Sequence, residues 1–136
     1  MPLRGIRGAT TAAENSVDAI GAATTELLNE LSSRNHIDPA EIALAYFTTT
    51  TDLDAEYPAL AARRMGWVQV PLLCGNDMVV AAPNPRAVPR CIRILLLYNT
   101  ERSQSDMRSA YLRGAEVILA DLESSRLESM RLELEQ

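Results

Sequence analysis

Thirteen basic residues are spread through this chain of 136, and every one of them is arginine. Several interrupt segments that otherwise read as β-strand. Arg93 sits inside the run 90–100, which is apolar nearly throughout, the pattern of a strand covered on both faces. A guanidinium does not shed its charge inside a protein, and an unpaired buried charge costs several kcal/mol. Arg93 therefore has a buried acidic partner, reaches solvent at a strand end, or faces a pocket that receives an anion. Near the N-terminus, Arg4-Gly5-Ile6-Arg7-Gly8 reads as a short strand with two glycines, which permit close backbone approach or a bulge. Arg4 and Arg7 are an odd number of positions apart, so an extended backbone points them to opposite faces and leaves one free to meet a ligand.

Arg63, Tyr111, Cys74 and Asp77 complete the set with chemical capacity. Guanidinium groups grip carboxylates through paired hydrogen bonds, a phenol donates one more, and a lone carboxylate accepts from a hydroxyl. The set suits the binding of a compact dianion. It does not suit acid–base chemistry at neutral pH.

Composition narrows the choice further. Without lysine, no Schiff-base mechanism is open. The single histidine, His36, falls in a polar turn, which nearly excludes histidine triads and multi-histidine metal sites. Cys74 and Cys91 lie in different expected strands, lack metal-ligand spacing, and read as two reduced thiols. No glycine-rich phosphate loop or metal constellation is present, and no cofactor is expected. Net charge of −5 argues against a nucleic-acid partner. No apolar run approaches the length of a membrane span, and the N-terminus lacks the layout of a signal peptide, so the expected location is cytoplasmic.

The length suits one domain that buries about two-thirds of the surface of its unfolded chain. After the first strand, Thr11 and Glu14 fit a capping box, and a helix is predicted over 14–34 with Val17, Ile20, Leu27, Leu28 and Leu31 on one stripe. Asp38-Pro39-Ala40-Glu41 opens a single helical turn, followed by a strand over 42–50 that ends in a threonine run. An acidic loop over 52–57 leads to a short helix over 58–65, stopped by Gly66. A strand is predicted over 67–74, with Pro71 placing it at an edge or bulge, then a turn at Gly75-Asn76-Asp77 and renewed pairing over 78–80. Three of the seven prolines fall within 81–90, which reads as a loop. Beyond the central strand, Ser103 or Ser105 caps a helix through Arg113, with Tyr111 in its last turn, and 115–119 reads as a final short strand. The segment 122–136 is a charged, partly ordered tail to a domain over 1–121, with Leu127, Met130 and Leu134 at helical spacing.

This order gives an α/β (α+β) protein, a mixed sheet with helices on one face. Two helices scarcely cover both faces, and the nearest supply of cover for the second is another copy of the chain.

The stretch Arg4-Gly5-Ile6-Arg7-Gly8-Ala9-Thr10-Thr11 closely resembles the opening of the monofunctional AroH-class chorismate mutase family. The resemblance continues in collinear order through Asp52-Leu53, Tyr57-Pro58-Ala59, Arg63, Gly66-Trp67, Val70-Pro71, Cys74, Met78, Cys91-Ile92-Arg93 and Tyr111-Leu112. It implies a pseudo-α/β-barrel homotrimer with active sites between subunits, and the Claisen rearrangement of chorismate to prephenate. It also implies the roles. Arg93 would face the ether oxygen of the substrate, Arg7 and Tyr111 would hold a carboxylate, and Asp77 would accept from the ring hydroxyl. Tyr57 and Arg63, with Ala59 beside them, would come from a neighbouring subunit, while Leu73, Cys74, Gly75 and Asn76 would line the cavity.

The sequence departs from the family pattern at several positions. Asp77 stands where the family has glutamate, one methylene longer, and Gly75 and Asn76 beside it are unusual. Leu73 replaces a frequent threonine, and the 81–90 loop is long. These departures carry an alternative reading: a relative of the same fold that acts on, or only binds, a chorismate-like dianion in secondary metabolism, with weak mutase activity.

Overall fold

The computed structural model of the protein describes residues 1–135. Five strands form one mixed sheet in the order β3-β2-β4-β1-β5. β1 (Leu3–Thr11) and β2 (Ile42–Thr49) both run antiparallel to the central β4 (Cys91–Asn99), whereas β3 (Leu72–Asn76) is parallel to β2 and β5 (Ala110–Tyr111) parallel to β1.

Alternation along β4 decides what each face of the sheet does. Ile92, Ile94, Leu96 and Tyr98 are buried beneath the helices, with Ile6 of β1 and Ala45 and Phe47 of β2 on the same face. Helix α1 (Val17–Asn35) lays Ile20, Leu27, Leu28 and Leu31 onto them, and full burial of such a side chain stabilises the fold by about 1.5–3 kcal/mol each. Gly8 lets α1 come this close: a β-carbon there would lie 2.9 Å from a Leu31 methyl and 3.1 Å from the Ala110 carbonyl oxygen. The short helix α2 (Ala59–Arg64) packs beside α1 through Ala59 and Ala62.

The opposite face carries Arg7, Tyr46, Thr48, Arg93, Leu95 and Leu97. It is largely open in the protomer, with Leu95 39% exposed and Leu73 64% exposed. The start of α3 (Glu116–Leu134) lies over one edge of this face, where Ile118 packs against a small cluster of Ala9, Cys91 and Ala115. The rest of α3 reaches into solvent.

Several local expectations are corrected. The N-cap of α1 is Ser16, whose Oγ accepts from the Ala19 amide at 3.1 Å, so the helix begins at Val17 rather than Glu14. Val17, at that first position, is exposed instead of joining the buried stripe. β3 starts only after Pro71, whose carbonyl accepts from the Ala45 amide, because Trp67 and Val70 are buried in the core instead of pairing. It then runs through Gly75 and Asn76, where a turn was expected, and 78–80 forms no strand.

The helix expected over 103–113 is a 3₁₀ turn at Gln104–Asp106, closed by a Ser103/Asp106 capping box. Tyr111 lies in β5, paired with Ala9. Asn35 diverts the intervening chain, accepting from the Arg108 amide at 2.7 Å and donating to the Arg108 carbonyl at 2.8 Å. Where a strand was expected over 115–119, Ala115 closes a 3₁₀ turn over Arg113–Ala115 and 116–119 open α3, which crosses residues 121 and 122 without a break. Gln136, the end of the expected tail, lies outside the described residues.

Candidate active site

The entry to β4 is fixed by a compact hydrogen-bond network. Arg90 adopts a left-handed backbone (φ 48°), its amide donates to Asp52 Oδ2 at 2.9 Å, and its Nε donates to the Ala12 carbonyl at 3.0 Å. Thr50 Oγ1 accepts from the Cys91 amide at 2.9 Å and donates to Asp52 Oδ1. Two residues on, Arg93 emerges on the open face.

Of the three fates open to Arg93, the structure combines two. Its Nε donates to Asp77 Oδ2 at 2.9 Å, and the other carboxylate oxygen accepts from Thr48 Oγ1 at 2.5 Å. The cation is nevertheless the more exposed partner, with 41% of its side chain accessible against 14% for Asp77. Neither Nη1 nor Nη2 makes a hydrogen bond to a described residue. That edge of the guanidinium borders open space. Arg93 lines a cavity of about 260 Å³ with Arg7, Tyr46, Thr48 and Tyr111, and one of about 380 Å³ with Asp77 and the loop that follows it.

Arg7, Arg93 and Tyr111 are thus brought to one cavity, and Asp77 to the adjoining one. Tyr57, Cys74, Gly75 and Asn76 line a third cavity of about 440 Å³ on the β3 side, and Tyr57 is exposed there. Ala59 is buried in α2, Arg63 is on its exposed side, and Leu73 projects from the open sheet face. Within one protomer, Tyr57 and Arg63 are therefore not joined to the Arg93 cavities. The Cys74 thiol is pushed up from its ordinary value by burial, against smaller lowering effects from the Ala59 backbone and the Arg63 cation. It is a neutral wall element at physiological pH.

Sequence reasoning missed Thr48, which lay in a threonine run read only as the end of a strand, and Ile118 and Leu122 of α3, which close one side of the smaller cavity. Among the described residues, no cluster of acidic, histidine or cysteine side chains could hold a metal ion, and no helix is long and apolar enough to cross a membrane.

Fold and site together define an α+β protein that presents a permanently charged guanidinium to a cavity on the open face of its sheet. The chain belongs to the chorismate mutase type I family, whose profile matches residues 3–122. The chorismate mutase AroH of Thermus thermophilus is 43% identical over 125 residues, covering 91% of this chain and 99% of the relative. The chorismate mutase AroH of Bacillus subtilis is 34% identical over 123 residues, covering 90% of this chain and 94% of the relative. Among solved structures, a chorismate mutase from Clostridium thermocellum superposes with a TM-score of 0.78 at 42% identity, covering 83% of this chain and 97% of that one.

Proposed function

We propose that the protein is an isomerase that converts chorismate to prephenate by an intramolecular Claisen rearrangement, at the branch toward phenylalanine and tyrosine. The observation that carries this reading is Arg93, held through Nε with its Nη edge open to a cavity. In the rearrangement the enol-pyruvyl ether bond breaks ahead of full carbon–carbon bonding, so negative charge gathers on the ether oxygen. A preoriented cation there stabilises the transition state more than the ground state, an effect of about 3–4 kcal/mol for a single donor. No proton transfer and no cofactor is required.

In this reading Arg7 and Tyr111 hold a substrate carboxylate and select the compact conformer that can react, while Asp77 accepts from the ring hydroxyl. Tyr57 and Arg63 complete a neighbour's site, and Leu73, Cys74, Gly75 and Asn76 form its wall. The assembly is a homotrimer in the cytoplasm, residues 1–121 being the catalytic domain and 122–136 its charged tail. Support for the assembly comes from the uncovered apolar face, where Leu73 and Leu95 are exposed, and from Tyr57 and Arg63 standing apart from Arg93 in one protomer. The alternative of a chorismate-like dianion in secondary metabolism rests on Asp77 and Gly75, and the shared family with two chorismate mutases favours the first reading over it.

Purified protein should consume chorismate with saturation kinetics, followed by its loss of absorbance, and should sediment as a trimer. No turnover at micromolar protein would sink the activity, and turnover of an amino-substituted analogue in preference to chorismate would favour the alternative.

A further inference from the structure

Thr48 stands directly across from Arg93 in the β2–β4 ladder and across from Gly75 in the β2–β3 ladder. Its hydroxyl donates to Asp77 Oδ1 at 2.5 Å, Asp77 Oδ2 accepts from Arg93 Nε at 2.9 Å, and the Asp77 amide donates to the Thr49 carbonyl at 2.8 Å. The Asp77 carboxylate is therefore held at both oxygens and its backbone is tied to the strand that carries Thr48. Arg93 in turn is held at the one N–H that leaves its Nη1/Nη2 fork free.

We infer that Thr48 is a positioning residue for the rearrangement: it fixes the rotation of Asp77, and through Asp77 the aim of the Arg93 guanidinium. This inference rests on the function proposed above and deepens it. A carboxylate anchored only by Arg93 can turn about its last side-chain bond, and the long arginine side chain then follows it. The β-branched hydroxyl of Thr48 is stiff at its only side-chain torsion and sits on a strand hydrogen-bonded on both sides, so it gives Asp77 a rigid reference. The short aspartate side chain makes this support specific, because it keeps the carboxylate close to the sheet, within reach of a strand hydroxyl.

The test is steady-state chorismate turnover by wild type and by Thr48→Val, Thr48→Ala and Thr48→Ser, with thermal unfolding as a control for folding. Valine matches threonine in shape but cannot donate, and alanine gives the same readout should valine disturb the strand. Loss of the hydroxyl is expected to lower kcat about ten- to a hundredfold with KM changed less than about threefold, whereas serine keeps kcat within about threefold of wild type. In an Asp77→Ala background, Thr48→Val is expected to add no further loss, since the two act through one contact. Full kcat in the valine and alanine variants, or a serine variant as impaired as valine, overturns the inference and leaves the proposed activity standing. A wild type that leaves chorismate untouched overturns both.

Discussion

A β-carbon on Gly75 would overlap the hydroxyl oxygen of Tyr46, its neighbour across the open face of the sheet. Tyr46 also lines the cavity that contains Arg7, Arg93 and Tyr111, so the missing side chain at 75 determines where a cavity wall stands. Gly75→Ala should push the ring tip of Tyr46 aside. Because only the far end of a side chain must move, the folding penalty should stay below about 1.5 kcal/mol, while kcat/KM falls several-fold. Adding Tyr46→Phe removes the overlapping oxygen and should recover most of the loss. Wild-type kcat/KM in Gly75→Ala, measured alongside its thermal midpoint, would show that the wall is not set by this contact.

The Arg93–Asp77 pair is partly exposed on the arginine side, and such pairs contribute less than about 1 kcal/mol to folding. Arg93→Ala should therefore remain folded and assembled. Its turnover should fall by a factor of several hundred, the equivalent of about 3–4 kcal/mol of lost transition-state stabilisation. Urea unfolding and chorismate kinetics on the same preparation separate the two effects. A variant that unfolds would instead assign Arg93 to the architecture.

How kcat depends on pH follows from which groups surround the site. The only histidine, His36, lies at the end of α1 with a left-handed backbone (φ 51°) and borders none of the three cavities. Cys74, raised by burial, stays a thiol through neutrality. The proposed rearrangement needs no proton transfer, so kcat should be flat from about pH 6 to 9. A bell-shaped profile centred near neutrality would require an acid and a base in the site.

Much of this was visible in the sequence, for identifiable reasons. α1 carries a helical apolar stripe, and Ile20, Leu27, Leu28 and Leu31 of it are buried while Val17 is not. β4 read as a strand covered on both faces, but in the protomer only one face is covered, and Leu95 on the other is exposed. Arg93 stood out because a permanent charge in an apolar strand demands an explanation. β5 left no local trace, since it is two residues long and exists only through pairing with β1. The first turn of α3 was misread because Val117, Ile118 and Leu119 favour a strand locally, whereas the helix gains from its continuation to Leu134. Thr48 was invisible as a site residue because its partnership with Asp77 depends on the β2–β3 register, and its place opposite Arg93 on the β2–β4 register, which no single segment encodes.

Cys91 provides a test of the floor beneath Arg93. Its thiol is fully buried, and burial pushes its pKa from 9.0 up to about 11, the nearby Arg93 cation lowering it less than burial raises it. The folded protein therefore keeps a proton between pH 9 and 11 that the unfolded chain has already released. Stability from this group is fully present below pH 9 and is lost as the pH rises through that window, by about 2–3 kcal/mol in all. Urea midpoints measured under reducing conditions at about pH 8 and pH 10.5 should show the decline. The diagnostic quantity is the difference from Cys91→Ala, which lacks the thiol and should lose distinctly less stability between the two pH values. Equal losses in the two proteins would mean that solvent reaches the thiol, and that the base of β4 is looser than its hydrogen bonds to Thr50 and Asp52 imply.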